Sequence, residues 1–333
     1  MQFGEIAVMD ALDTILAHKL YDDTGKMIFN KGHRLLKDDL AVLQSHNIIH
    51  VTVARLDISD LHEDAAARRI GQAIAGKHVA MKSPGVGRAN LSAEKRGILH
   101  INAPALTLLN NITDGITIAT LREYTLVDPQ KLLALVKIVP FGVPEARVVD
   151  IERIAAETMP ILQVRPLIEK QVALIISGTD ATKERLMKSF IPPVKNRIEG
   201  WGSHLLTPQF VQHEQSAITE AIRKQRHADM ILIASVSAII DRADLVPAAL
   251  VESGGSITIH GMPVDPGSLL MLGYLGDTPV VGAPGCIKSP RKNVVDMILP
   301  RLLTGERLTR ANLVSMGHGG LLDDIRERPM PRE

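Results

Sequence analysis

The stretch Val172–Asp180, VALIISGTD, is a continuous apolar run closed by a small-polar turn, and Asp229–Ser237, DMILIASVS, repeats that pattern. Apolar runs without alternation suit strands buried on both faces, as in a parallel sheet covered by helices. Between and after them lie helix-forming segments. ATKERLMKSFIPPVKNRIEG (181–200) is expected to break or restart at Pro192-Pro193, residues 215–227 are polar and helical, 244–251 open a further helix, and Asn293–Leu303 close with another. ITIHGMPVDPGSLLMLGYLGDTPVVGAPG (257–285) supplies short strands joined by Gly/Pro turns. Strands alternating with helices argue for an α/β fold around a parallel or mixed sheet.

Working outward, residues 1–82 read as a smaller α+β module. It has a helix over Leu36–His46, a β-branched strand in HNIIHVTVARL and an Ala-rich helical segment at 61–81. SPGVGRA (83–89) reads as a loop. Residues 90–165 form a β-rich module with the strands ILHIN, ITIATL and LLALVKIVPF, followed by a connecting helix at 147–159 that stops before Pro160. The α/β domain then spans 166–305, and 306–333 reads as a C-terminal tail with His318 in a flexible Gly-rich segment.

The chain has 333 residues, and its length divided by about 150 suggests two domains or more. With 45% hydrophobic and 23% charged residues it is of globular composition. Lys plus Arg number 38 against 37 for Asp plus Glu, so bulk charge gives no reason to expect a nucleic-acid partner. Aromatics at 3% leave little for base stacking. The single cysteine, Cys286, excludes an intrachain disulfide framework and a thiolate metal cage. Acidic Glu5 and Asp10 and the lack of a basic-then-apolar start speak against a secretory signal, and the apolar runs are short for a membrane span. A soluble, cytoplasmic protein is expected.

Ligands of open α/β sheets bind outside the carboxyl ends of the strands. Three loops fall on that rim. Ser177-Gly178-Thr179 offers hydroxyls and a flexible backbone. The loop after DMILIASVS carries Ser235, Ser237, Asp241, Arg242 and Asp244, whose carboxylates suit a metal ion, a hydroxyl or an amine-rich heterocycle. Pro284, Gly285, Cys286, Lys288 and Ser289, followed by Arg291, offer amides, a hydroxyl and cations to an anion such as phosphate. Each feature also has a plain structural reading. Gly/Pro loops are often only turns, Asp244 is placed to be a helix N-cap, Lys288 and Arg291 suit a solvated surface, and Cys286 has no basic partner fixed by the sequence. His46 and His50 lie i, i+4 but flank a strand entry rather than a helical ligand pair. Walker-type, HExxH and GxSxG motifs are absent.

ISGTD, ILIASVSAIIDRADLVPAAL and GMPVDPGSLLMLGYLGDTPVVGAPGCIKSP occur in that order, and with them residues 170–305 resemble the molybdopterin-binding domain shared by molybdopterin adenylyltransferase and molybdopterin molybdotransferase. The chain is more similar to the module fused in many bacteria to a cytidylyltransferase domain of molybdenum cofactor synthesis. GMPVDPGSLL (261–270) and GAPGCIKSPRKN (282–293) carry that likeness, and FGEIAVMDALDTILAH, FNKGHRLLKDDLAVLQSHNIIHVTVARL and ALVKIVPFGVP extend it over nearly the whole chain. MGHGGLLDDIRERPMPRE resembles the linker into the cytidylyltransferase domain. The resemblance implies a three-layer molybdopterin-binding domain behind a smaller α+β/β-rich module. In it Asp244 matches the family's functional aspartate and Pro284-Gly285 matches the start of its later loop. Val236-Ser237 stand where the family has paired glycines, Asp241 where glycine is usual, and Cys286-Ile287 where it has Asn-Pro.

The implied function is molybdopterin binding in molybdenum cofactor biosynthesis. The pterin, free or nucleotide-linked, would be held by its phosphate on Ser177, Gly178, Thr179, Ser235, Ser237, Arg242, Pro284, Gly285, Cys286, Lys288 and Ser289, and passed on to a cytidylyltransferase. A homodimer is implied as well. Two alternatives stand beside it. One is an active molybdotransferase-type enzyme in which Asp244 and Asp241 are catalytic and Asp244 holds Mg²⁺. The other is an interaction protein whose site has degenerated.

Overall fold

The computed structural model describes residues 1–322, and the last residues of the linker-like segment lie outside it. The chain divides into two compact units, Met1–Arg165 and Pro166 onward.

In the first unit, β1 (Gln2–Ala7), β2 (Ile15–Leu16) and β5 (His50–Arg55) form an antiparallel sheet, joined by the hairpin β3 (Leu20–Tyr21)–β4 (Met27–Phe29) and by α1 (Lys37–Ser45). Val8, Leu16, Leu35, Leu43, Val51 and Val53 make its small core. The strand β6 (Asp60–His62) leads into α2 (Glu63–Ile74), which packs on the four-stranded sheet β10-β12-β8-β7, where β7 is Val79–Gly85, β8 Arg88–Ala93, β10 Ile116–Thr120 and β12 Leu132–Ile138. The strands β9 (Gly97–Ile101), β11 (Leu126–Val127) and β14 (Leu162–Pro166) form a second sheet, and β13 (Gly142–Pro144) pairs with β6. Helices α3 (Ala103–Asn110) and α4 (Glu145–Thr158) complete one apolar core that runs from Ala66 to Val164.

The expected loop at 83–89 is a hairpin instead. Val86 (φ 52°) and Gly87 (φ 65°) form its two-residue turn, and a register shift between Lys82 and Gly85 accommodates Pro84, which cannot donate to the ladder. The expected boundary between 82 and 90 therefore falls inside one sheet. The Ala-rich helix ends at Ile74, and Val79–Gly85 beyond it pairs antiparallel with Arg88–Ala93.

The second unit is a three-layer α/β structure. Its strands are β15 (Gln171–Gly178), β16 (His204–Leu205), β17 (Gln209–Gln212), β18 (Met230–Ser235), β19 (Ser256–His260), β20 (Met271–Leu275) and β21 (Thr278–Gly282). They form one seven-stranded sheet in the order β16-β15-β18-β21-β20-β19, with β17 also on the β16 side of β15. Pairing is parallel from β16 and β17 through β21 and antiparallel at β20 and β19. Alternate residues of the buried strands serve opposite faces. Val172, Leu174 and Ile176 pack with α5 (Asp180–Gly200), α8 (Val294–Leu303) and α9 (Arg310–Val314). Ala173 and Ile175 pack with α6 (Gln215–Lys224) and α7 (Leu245–Glu252).

The helix α5 runs unbroken through Pro192-Pro193. Its buried stripe Leu186, Phe190, Val194 and Ile198 continues at i, i+4 across the prolines, and that packing outweighs two missing amide donors. Residues 306–322 are built into the unit rather than hanging from it. Leu308, Leu313 and Met316 are core residues, and Asp265 exchanges backbone hydrogen bonds with Gly320 and Leu322. Glu306 receives the buried Arg301 guanidinium in a two-point ion pair of 2.9 and 2.6 Å. Among the described residues no helix is long and apolar enough to cross a membrane.

Removing one partner of a buried ion pair leaves a charge that water cannot reach, at a cost of about 3–5 kcal/mol. Glu306→Ala is therefore expected to lower the urea-unfolding free energy of the second unit by about 3 kcal/mol, measured against wild type at pH 7.

Candidate functional site

The chain leaves β15 through α5 on one face of the sheet to reach β16 and β17 on one side, then returns through α6 on the other face to β18 on the opposite side. The gap between β15 and β18 is therefore a topological switch point, the place where an open α/β sheet leaves a crevice at its carboxyl edge. Parallel register sets Ser177 opposite Ser235 at that edge, and their hydroxyls meet, Ser177 Oγ donating to Ser235 Oγ at 3.1 Å. Ser177 is fully buried and Ser235 partly so.

A third member, His213, carries no local signal in the sequence. The β15–β17 ladder ends at Gly178–Gln212, and the next amide, of His213, donates to the Gly178 carbonyl at 2.9 Å. This seats the imidazole in the crevice, with Nδ1 3.1 Å from Ser177 Oγ and Nε2 2.9 Å from Ser237 Oγ. Ser237 is exposed, and Val236 before it uses its amide to reach the Ser177 carbonyl at 2.9 Å.

Gly178 owes its identity to packing. A Cβ there would lie 2.5 Å from Leu186 Cδ1 and 2.8 Å from Thr182 Oγ1. Thr179 is the N-cap of α5, its amide donating to Thr182 Oγ1 at 2.9 Å.

Asp244 stands at the N-cap position of α7, yet its carboxylate faces back into the preceding loop. Oδ2 accepts from the Ile240 amide at 2.7 Å and the Asp241 amide at 3.0 Å. Those amides hold the carboxyl below the usual carboxylate range, and the nearby His260 and His213 add to the effect. Asp241 Oδ1 accepts from the Ala243 amide at 2.7 Å in a turn of its own. Arg242 is exposed on the same loop.

The third loop is clamped from beneath. The Arg197 side chain of α5, one-tenth exposed, donates to the carbonyls of Ile287 (2.9 Å) and Ser289 (2.7 Å) and pairs with Asp296 at 2.8 Å. Asn293 donates to the Cys286 and Arg291 carbonyls and caps α8 by accepting from the Val295 amide. Lys288 Nζ lies 4.3 Å above the centre of the Phe190 ring, a cation–π contact. Pro284 is buried, while a Cβ on Gly285 would meet open space. Cys286 is half-buried against the core, and desolvation pushes its thiol up to about 11. His46 and His50 are exposed at the end of α1 and the start of β5. Among the described residues, no three His, Cys, Asp or Glu side chains gather as metal ligands.

No protein-family model matches the chain, and no curated protein matches it. Solved structures overlap it weakly. A molybdenum cofactor biosynthesis protein from Pyrococcus furiosus is 14% identical, with 94% of this chain and 65% of that chain covered and a TM-score of 0.24. The molybdopterin biosynthesis enzyme MoaB from Thermus thermophilus is 17% identical over 41% of this chain and 98% of that one, with a TM-score of 0.31. A molybdopterin biosynthesis moeA protein from Pyrococcus horikoshii is 9% identical over 94% and 75%, with a TM-score of 0.28. The chain spans about two-thirds of the length of the Pyrococcus furiosus protein. TM-scores near 0.3 do not establish a shared fold.

A thiol held near 11 is ionised to only roughly one part in a thousand at pH 8, against about a quarter for a free cysteine. Iodoacetamide at pH 8 is expected to alkylate Cys286 in the folded protein at least tenfold more slowly than in 6 M guanidinium, read by mass spectrometry.

Proposed function

We propose that the second unit binds a small anionic pterin of the molybdopterin class in the crevice between β15 and β18, and that the chain serves molybdenum cofactor biosynthesis by holding it. One observation carries this reading: the switch point presents Ser177, Ser235, Ser237 and His213 as one hydrogen-bonded set at the carboxyl edge. Hydroxyls and an imidazole offer both donors and acceptors, which the mixed nitrogen and oxygen edge of a pterin needs. The resemblance of residues 170–305 to molybdopterin-binding domains supports the same ligand class.

The phosphate would face the 284–289 loop, where Gly285 leaves room. Lys288 and Arg197 are engaged with Phe190 and with loop carbonyls, which leaves the exposed Arg242 and Arg291 of the two rim loops as candidates to meet its charge. Asp244 and Asp241 do not fit a protein-held Mg²⁺. Asp244 Oδ2 and Asp241 Oδ1 are committed to backbone amides, and no third ligand joins them among the described residues. Transfer of the ligand to a separate cytidylyltransferase, preference for a nucleotide-linked form and assembly as a homodimer belong to the same proposal.

A fluorescence titration with molybdopterin, with and without CTP, tests it. Saturable binding is expected, weakened by about tenfold or more in Ser235→Leu, which fills the crevice and removes the hydroxyl that Ser177 donates to. A folded wild-type protein that leaves pterin fluorescence unchanged overturns the reading.

A further inference from the structure

The hydrogen bonds at the crevice have a direction. Ser177 Oγ gives its proton to Ser235 Oγ, so what it offers His213 Nδ1 is a lone pair. The tautomer that completes this chain carries its proton on Nδ1 and turns the Nε2 lone pair toward Ser237, because the partner of one ring nitrogen sets the role of the other. Nε2 faces Ser237 Oγ at 2.9 Å. The order is an exposed hydroxyl, a base within hydrogen-bond reach of it, and a buried group that orients the base. That is the general signature of an activated serine nucleophile.

The surroundings suit this order. Ser177 is buried at the end of a core strand, the His213 amide is tied to Gly178, and the Val236 amide is tied to Ser177, so backbone bonds seat Ser177 and His213 and hold the residue just before Ser237. Ser237 faces solvent, where a substrate can reach it.

We propose that Ser237 is a nucleophile activated by His213 and that the site cleaves small carboxylic esters. Ser237 Oγ bonds to the ester carbonyl carbon while its proton passes to His213 Nε2. The ester C–O bond then breaks, and the departing alcohol takes that proton. Water attacks the acyl-serine in turn, gives a proton to His213, and releases the carboxylic acid as Ser237 recovers its proton. No oxidant or reductant is needed. Ser177 is a positioning residue that acts through the imidazole.

The experiment uses the full chain, with a fluorophosphonate as covalent probe and p-nitrophenyl acetate as substrate. Wild type is expected to be labelled at Ser237, located by peptide mass spectrometry, and to release p-nitrophenolate catalytically. Ser237→Ala is expected to abolish the label, and His213→Gln to slow both reactions by about 10²-fold or more. Ser177→Ala is expected to lower kcat several-fold with KM unchanged, and Ser177→Thr, which restores a hydroxyl, to recover most of it. Circular dichroism checks the fold of each variant. Failure to label folded wild type, labelling at another residue, or equal labelling of His213→Gln each overturns the proposal. The pterin titration reads a different event, so either reading can fail alone.

Discussion

Everything at the candidate site depends on the parallel register between β15 and β18. It places Ser177 opposite Ser235, two residues that would otherwise be ordinary strand ends 58 positions apart. A slip of one residue would turn the whole apolar set of β18 to the other face. Ile231 and Ile233 would leave the layer with α6 and α7, and Leu232 would leave the layer with α5 and α8. The energetics of the core thus fix the positions of the hydroxyls, and the crevice inherits its precision from burial rather than from its own polar contacts.

The same logic shows what the sequence discloses and what it hides. Both core strands are legible because a sheet covered on two faces demands unbroken apolar runs, and Ser177 and Ser235 are the first polar side chains as each run ends. The helices after them are legible from spacing, except that Pro192-Pro193 reads as a break when the buried i, i+4 stripe carries α5 through it. His213 leaves no local signal. It follows the four-residue strand β17, which pairs with β15 from the far side of a 21-residue helix, and only that pairing brings its imidazole to Ser177. Arg197 is equally silent, a helical arginine whose role appears only once the 284–293 loop folds over it. The hairpin at 79–93 was hidden by Pro84 and three glycine or turn positions that also describe a loop.

The two loops that border the crevice are held in different ways. The loop at 284–293 is gripped from below by Arg197 and Asn293, so its carbonyls point into the protein. The loop at 236–244 braces itself, with Asp244 drawing in the amides of Ile240 and Asp241. An aspartate so placed both shapes the loop and keeps its negative charge near the imidazole of His213.

The residues at 236 and 237 follow from that self-bracing. A glycine pair would let backbone amides approach a phosphate closely. Val236 instead spends its amide on the Ser177 carbonyl, continuing the ladder one residue past β18, and the next side chain is thereby aimed at His213. A hydroxyl with a directional partner replaces a pliable stretch of backbone. Such an edge recognises a ligand through side-chain hydrogen bonds with defined donors and acceptors, and it places the one exposed hydroxyl of the set against the one basic nitrogen. Binding and reactivity as proposed for this crevice therefore draw on one hydrogen-bonded set, Ser177, Ser235, His213 and Ser237.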